Sequence, residues 1–192
     1  TRWLSHPVRP FSRVESRDDF QKSGSEVRSP HLLRNQIESY VKTARLPEVL
    51  MICGAPFLGV LLTIPDFTLA SVSRASYVLT GILALALHVY LYNACAGLVY
   101  DQADPRRRVD PLLGGQLEPA KVLVASLVSL GISLAIFLSL SVYLFLIALG
   151  IAMLWFLYAH PRIALKRIPV VPTALHVVGG TLAVYLTCAA ME

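Results

Sequence analysis

The longest apolar run of the sequence is VLVASLVSLGISLAIFLSLSVYLFLIALGIAMLWFLYA, which occupies residues 122–159 and contains no charged side chain. As one α-helix these 38 residues would be about 57 Å long, at about 1.5 Å per residue. The hydrocarbon layer of a membrane is only about 30 Å thick. The run is therefore expected to fold back near residues 138–141, which gives two membrane-spanning helices joined by a tight turn.

The rest of the chain is apolar enough to extend this membrane domain. The protein has 192 residues, of which 55% are hydrophobic, and a mean hydropathy of +0.61. These values are too high for a soluble domain of this size. The sequence predicts an all-α membrane protein with about five transmembrane helices, at residues 46–65, 77–100, 122–139, 142–159 and 168–191.

A polar N-terminal arm, residues 1–45, precedes the transmembrane domain at residues 46–192. Its last part, HLLRNQIESYVKTAR (31–45), has an apolar stripe that predicts a short amphipathic helix at the membrane surface. That stripe consists of Leu33, Ile37, Tyr40 and Val41. Because the arm is too polar to form a core of its own, we expect it to contact protein partners in a larger membrane complex.

The basic residues indicate how the chain is oriented in its membrane. Sixteen of the 17 Lys and Arg residues lie in the arm and in the segments 101–121 and 160–167; the exception is Arg74. The positive-inside rule places the N-terminus and these basic loops on the cytosolic, matrix or stromal side of a bacterial or organelle inner membrane. Membrane lipids are the expected neighbours of these loops, and no nucleic acid partner is predicted.

The stretch NACAGLVYDQADPRRR (93–108) ends the second apolar segment with polar residues. Asn93, Gly97 and Asp101 are spaced i, i+4, i+8 and therefore lie along one face of a helix. Oxygen ligands stacked in this way suit Mg²⁺, which binds through one or two carboxylates together with substrate phosphates. An aspartate at position 97 would complete the pattern, but glycine has no side-chain oxygen.

Four stretches resemble the UbiA-type intramembrane prenyltransferases, over roughly residues 38–190. The first, YVKTARLPEVLMICGAPFLGVLL (40–62), is similar to the arginine-proline start and small-residue first helix of that family. Asn93 and Asp101 have the spacing of its first aspartate-rich motif. The chain thus resembles the N-terminal half of a UbiA-type helical bundle.

The other two stretches follow in the order that the family has. DPLLGGQLEPAKVL (110–123) resembles the loop after the second helix, and Pro111, Leu112 and Gly115 match it. WFLYAHPRIALKRIP (155–169) resembles the tyrosine and lysine segment after the fourth helix. For an active enzyme, the resemblance implies Mg²⁺ on Asp101, and Asp104, three residues further on and on a similar face if the helix continues, would substitute for the ligand that Gly97 lacks. The substrate-binding residues that it implies are Asn93, Arg106, Arg107, Arg108, Tyr158 and Lys166.

The departures from the family are as informative as the matches. Ala94 and Gly97 stand where the family has aspartates, Asp110 stands in place of its loop arginine, and no aspartate follows residue 110. The leading hypothesis is therefore a catalytically lapsed relative that acts as a structural or lipid-binding subunit of a larger membrane complex. The alternative is a magnesium-dependent prenyltransferase that moves an isoprenoid group from its diphosphate to an aromatic or lipid acceptor. A bound lipid or isoprenoid is compatible with both.

Two histidines in the apolar segments suggest a third hypothesis. His88 and His176 are candidate ligands of a haem or a pigment, because ionisable groups at membrane depth are often functional. The structural alternative is that each histidine makes a hydrogen bond that supports helix packing. Similarly, the arginines at 106–108 serve either a diphosphate or the topology of the chain.

Overall fold

The computed structural model describes residues 30–101, 111–160, 163, 165, 168 and 170–192, without the side chains of 30–33 and 99–101. Within these ranges the chain forms helices and no strand. The helices are α1 (Pro30–Thr43), α2 (Leu46–Ile52), α3 (Gly54–Thr63), α4 (Leu69–Asp101), α5 (Pro119–Leu140), α6 (Val142–Ala159) and α7 (Val170–Met191).

Five segments of the described chain are long and apolar enough to cross a membrane. The first is Leu46–Thr63, which comprises α2 and α3, and the second is Leu69–Leu98 within α4. The other three are the helices α5, α6 and α7. The prediction of an all-α integral membrane protein with about five spans is confirmed.

The first span is interrupted near its middle. α2 ends at Ile52, Cys53 forms a turn, and α3 begins at Gly54. Pro56 has no N–H to donate to the carbonyl of Ile52, four residues earlier, so the regular hydrogen-bond series stops there. The interruption lets the two halves of this span contact different helices: α2 packs on α4, and α3 packs mainly on α7.

The reversal of the long apolar run occurs at Ser141. This residue is extended, with φ −167° and ψ 144°, between the end of α5 at Leu140 and the start of α6 at Val142. Its hydroxyl accepts a hydrogen bond of 3.2 Å from the backbone N–H of Tyr143. A serine in this position caps a helix N-terminus, so one polar residue ends one span and begins the next.

Close approach between helices depends on small residues. α4 packs most extensively against α5, and a Cβ atom added to Gly81 would lie 2.9 Å from Cγ2 of Ile136. On α3, a Cβ added to Gly59 would lie 3.0 Å from Oγ1 of Thr187 on α7. Glycine at such points allows helices to pack backbone against side chain within a membrane.

In the described part of the chain, two clusters of buried apolar residues lie toward opposite ends of the bundle. One lies toward the Ser141 turn and includes Val78, Phe137 and Leu186. We call the other the loop-end cluster; it consists of Ala44, Leu91, Leu112, Leu117 and Val122. The loop-end cluster joins α1, α4, α5 and the turn that precedes α5, and it supports the candidate site.

Candidate functional site

The turn before α5 is compact and closes on itself. The backbone N–H groups of Gln116 and Leu117 donate to the carbonyl of Pro111, at 2.9 and 3.3 Å. Gly115 has φ +72°, in the left-handed region that favours glycine. Leu112 and Leu117 are buried in the loop-end cluster. The stretch that resembles the family's loop is therefore anchored by its leucines on the end of the bundle.

Helix α1 lies across this turn and the adjoining part of α4. Tyr40 and Ala44 pack in or against the loop-end cluster. The hydroxyl of Ser39 donates a hydrogen bond of 3.2 Å to Oε1 of Gln116. α1 is thus tied to the turn by a polar contact and to α4 by apolar ones.

The segment that carries the partial aspartate pattern is helical as far as Asp101, so Asn93, Gly97 and Asp101 follow one another along α4. Asn93 is exposed, whereas Gly97 is buried. Ala94 packs against the loop-end cluster, as do its neighbours Cys95 and Leu98. The two positions where the family has aspartates therefore hold an apolar contact and a buried glycine.

Several of the predicted site residues lie outside the described part of the chain. They are the side chain of Asp101 and all of Asp104, Arg106, Arg107, Arg108 and Lys166. Among the described residues, no group of three His, Cys, Asp or Glu side chains is placed to hold a metal ion. Of the side chains of this pattern that the structure describes on α4, that of Asn93 has an oxygen atom. One exposed amide is not by itself a magnesium site, because Mg²⁺ prefers carboxylates and phosphates.

Two ion pairs lie on the surface beside the loop-end cluster. Lys42 lies 2.8 Å from Oε1 of Glu38, and Lys121 lies 2.9 Å from Oε2 of Glu118. The hydrogen bond and the charge of Lys42 lower the pKa of Glu38, so this carboxyl is ionised at neutral pH. Exposed pairs of this kind contribute little to stability.

His88 lies inside the bundle and is hydrogen bonded to α5. Its Nδ1 donates to the carbonyl of Ser126 at 3.1 Å and also lies 2.9 Å from the Ser126 hydroxyl. In return, that hydroxyl donates to the carbonyl of His88 at 3.1 Å. Both residues are buried. The geometry is that of a polar contact between two helices; a role of His88 as a pigment ligand would have to use its other ring nitrogen.

A stack of aromatic rings leads from His88 to the end of α6. The ring centroids are 6.0 Å apart for His88 and Tyr92, 5.2 Å for Tyr92 and Phe156, and 5.3 Å for Phe156 and His160. The i, i+4 spacing of His88 with Tyr92, and of Phe156 with His160, was the sequence signal for this stack. The contact between Tyr92 and Phe156, which joins α4 to α6, has no such signal.

Tyr158 and His176 meet at a second aromatic group, between α6 and α7. Both rings contact Trp155 edge to face, with centroid distances of 5.4 and 4.9 Å. His176 is exposed, and its Nδ1 donates to the carbonyl of Pro172 at 2.7 Å. The structure brings these two predicted residues together through a tryptophan that the sequence analysis did not single out. The described contacts do not join Asn93 to this group.

Comparisons with known proteins identify the same architecture. A model of the UbiA prenyltransferase family matches residues 53–192, and the search of the curated proteins finds no match. A solved structure of a UbiA homologue from Archaeoglobus fulgidus bound to DMAPP and Mg²⁺ is similar, with a TM-score of 0.65, 21% identity and coverage of 78% of this chain.

A second structure of a UbiA homologue from Archaeoglobus fulgidus, bound to GPP and Mg²⁺, has a TM-score of 0.65, 20% identity and coverage of 79% of this chain. In both comparisons the match covers 53% of the solved chain. The chain therefore spans about half the length of these structures, and at this identity the likeness shows the fold alone.

Proposed function

This chain belongs to the UbiA prenyltransferase family, and we propose that it is a catalytically lapsed member acting as a structural or lipid-binding subunit of a larger membrane complex. It is an integral membrane protein whose spans contact lipid. The activity proposed to be lost is the binding of magnesium and diphosphate by the first aspartate-rich motif.

The observation that carries this proposal is the environment of positions 94 and 97. Ala94 packs against the loop-end cluster and Gly97 is buried. A carboxylate at either position would have to be taken from water into an apolar contact, which is costly unless it is paired. In this chain, the corresponding part of α4 packs against the loop-end cluster instead.

The closed turn before α5 supports the same proposal. Its Gln116 side chain is neutral and accepts a hydrogen bond from Ser39 on α1. Leu112 and Leu117 of the turn are buried, so the turn serves to fix α1 on the bundle. We infer that this loop contributes to structure, with its polar side chain engaged by the protein itself.

A second candidate function is magnesium-dependent prenyl transfer. It is favoured by the similar solved structures, whose ligands are DMAPP or GPP with Mg²⁺. In this chain Asp101, Asp104 and the arginines at 106–108 would provide the acidic and basic groups. The residues described on α4 do not by themselves form a magnesium site.

The two candidates differ in how they respond to magnesium. We propose to measure GPP binding and prenyl transfer by the full-length protein with Mg²⁺ and with EDTA, comparing wild type with Asp101→Asn. A lapsed protein should show no transfer, and its GPP binding should be the same in EDTA and in the variant. Magnesium-dependent transfer that is lost in Asp101→Asn would overturn the proposal.

The lost ligands suggest a reciprocal experiment. In the pair Ala94→Asp with Gly97→Asp, the carboxylates of the family pattern are restored, and GPP binding should become magnesium-dependent if the protein tolerates them. Ala96→Asp adds one carboxylate to another face of α4 and is the matched control for each of the two replacements made singly. An equal gain in the control would show that added charge alone, without the pattern, is sufficient.

The subunit role and the orientation of the chain have their own tests. After gentle detergent extraction, the protein should migrate in a large assembly of fixed stoichiometry, and deletion of residues 1–29 should release it. Migration alone or as a small homo-oligomer would contradict the subunit role. We further propose that the N-terminus and the basic loops lie on the cytosolic, matrix or stromal side.

A further inference from the structure

The two sides of α1 have different surroundings. Ser39 and Tyr40, together with Ala44 directly after the helix, face the turn and the loop-end cluster. Ile37 and Val41, which are one turn apart, lie on the open side, with exposed fractions of 63% and 39%. The described chain leaves these two apolar side chains partly uncovered. An apolar neighbour outside it would remove them from water.

The position of α1 relative to the first span identifies that neighbour as the membrane. α1 ends at Thr43 and α2 begins at Leu46, so two residues separate them and the Cα atoms of Thr43 and Leu46 are at most about 11 Å apart. On α2, Leu50 and Met51 are exposed by 57% and 75% in a segment long and apolar enough to span. α1 is therefore joined by only two residues to a segment whose exposed apolar side chains suit the lipid-facing surface of a span.

The charges of α1 complement an anionic surface. Arg34, Lys42 and the adjoining Arg45 are exposed. Glu38 is the one acidic residue between residues 34 and 45, and it pairs with Lys42, so the three cations outnumber the acids of this segment. Arg34 lies one turn before Ile37, and Lys42 directly follows Val41. Apolar residues with flanking cations are typical of helices that lie in the headgroup layer and prefer anionic lipids.

We propose that the open side of α1 is a docking site for anionic phospholipids of the leaflet at the loop end of the bundle. Ile37 and Val41 enter the boundary between headgroups and acyl chains, while Arg34 and Lys42 bind lipid phosphates. The contact fixes α1 against the membrane on one side, as the loop-end cluster fixes it on the other. It goes beyond the proposed function, because it holds whether or not the 93–101 segment binds magnesium.

The test uses the full-length protein in nanodiscs of zwitterionic phosphatidylcholine, with or without anionic phosphatidylglycerol. A nitroxide is attached at Ile37→Cys in a background where Cys53, Cys95 and Cys188 are replaced by alanine. Its accessibility to oxygen, which concentrates in lipid, is compared with its accessibility to a water-soluble nickel complex. We expect lipid-like accessibility that increases with the anionic lipid.

The charge part of the proposal is tested by Arg34→Gln with Lys42→Gln in the same labelled protein. Loss of roughly fivefold in anionic-lipid affinity is expected for each cation. Lys121→Gln removes one positive charge away from α1 and is the control for each of the two replacements made singly; it should retain the dependence on anionic lipid.

Three results would overturn the docking site. The first is a water-exposed label in every lipid mixture. The second is a label shielded from both oxygen and nickel, which would place a protein segment or a second copy on this side of α1. The third is an anionic-lipid dependence that is unchanged in the double variant or lost equally in Lys121→Gln.

Discussion

Ser126 and Ser129 are one turn apart on α5, yet their hydroxyls have different partners. The Ser126 hydroxyl bonds to His88 on α4, whereas that of Ser129 donates to the carbonyl of Ala125 in its own helix. Hydrogen bonds between membrane helices contribute about 0.6 kcal/mol on average. We predict that Ser126→Ala lowers the free energy of unfolding by about 0.6–1 kcal/mol, measured by denaturant titration in detergent.

Ser129→Ala is the matched control for this prediction. It removes the same hydroxyl from the same helix but no contact with another helix, so its effect should be close to zero. Equal losses of stability in the two variants would mean that the contact between Ser126 and His88 contributes nothing of its own. A visible absorption band in the purified protein that disappears in His88→Gln would instead favour the pigment hypothesis.

Sequence spacing predicts which side chains share a helix face but not what covers that face. It places Asn93 and Gly97 one turn apart on α4, and the structure has them so, with Asn93 exposed and Gly97 buried. The difference arises from neighbours distant in sequence, such as the turn that carries Leu112 and packs on this end of α4. For the same reason, His88 alone left two hypotheses open, and only the position of Ser126 shows its hydrogen bond.

The contact between α4 and α5 depends on Gly81. A Cβ at this position would lie 2.9 Å from Cγ2 of Ile136 and 3.0 Å from the ring of Phe137, which is fully buried. We predict that Gly81→Ala separates the two helices and lowers the free energy of unfolding by about 1–3 kcal/mol, the usual cost of overpacking. Unfolding of the purified protein in detergent measures this.

Gly131 on α5 offers the comparison, because a Cβ there would meet nothing within 4 Å. Gly131→Ala should be neutral or stabilise the protein by up to about 1 kcal/mol, since alanine has the higher helix propensity. If Gly81→Ala were as stable as Gly131→Ala, the close approach of α4 and α5 would not be a constraint on the fold.

The N-terminus of α4 is stabilised by a polar cap that depends on pH. The hydroxyls of Ser71 and Thr68 donate to Oδ1 of Asp66 at 2.7 and 3.1 Å, and Thr68 in turn accepts from the N–H of Ser71 at 3.3 Å. These hydrogen bonds lower the pKa of Asp66 below its ordinary value of 3.8, and the bond from Ser71 has the largest effect. The carboxylate form therefore favours the folded protein.

When the pKa of a carboxyl group is lower in the folded state than in the unfolded state, its ionisation stabilises the folded protein at pH values above the unfolded pKa. This stabilisation is lost as the pH falls through the folded pKa. We predict that Asp66→Asn lowers the unfolding temperature at pH 6 to 7, that the difference from wild type begins to shrink as the pH falls below about 4, and that it disappears below the lowered pKa of Asp66 in the folded protein. Thermal unfolding across this range measures it. A difference that stayed constant down to the lowest pH would exclude the charge of Asp66 as its cause.

At the level of helices, the sequence predicted the number of membrane spans and the reversal between two of them, but not the break within the first span. The run 122–159 is too long for one crossing, and the chain reverses at Ser141, within the predicted 138–141. α4, in contrast, begins at Leu69 rather than near Tyr77, because the Asp66 cap starts the helix among polar residues. The interruption of the first span at Cys53 was not predicted, since proline and glycine are also common in uninterrupted membrane helices.

The whole bundle has two chemically different ends. Near the loop-end cluster lie α1 and the turn before α5, next to the basic segments of the sequence. At the other end, Arg74 near the start of α4 donates from Nε to the carbonyl of Ala190 in the last turn of α7, at 2.9 Å. A cation there interacts favourably with the helix C-terminus, which explains why one basic residue departs from the charge pattern.

This arrangement makes the orientation of the chain testable with two single cysteines. Gln116 lies in the turn at the loop end, and Phe67 lies between α3 and α4 at the other end. In sealed vesicles of known sidedness, we predict that a membrane-impermeant maleimide labels Gln116→Cys from the cytosolic, matrix or stromal side. Phe67→Cys should be labelled from that side only after permeabilisation, because the intervening helices cross the bilayer.

The native cysteines provide the background for this measurement. Cys53, Cys95 and Cys188 are half-buried and lie in the spans, so the unmodified protein should be labelled little in intact vesicles. Reversed labelling of the two positions would invert the proposed orientation. Labelling of both from one side would be incompatible with a membrane crossing by α4 or by α2 and α3, and with the helix arrangement described above. The experiment thus joins the charge pattern of the sequence to the geometry of the bundle.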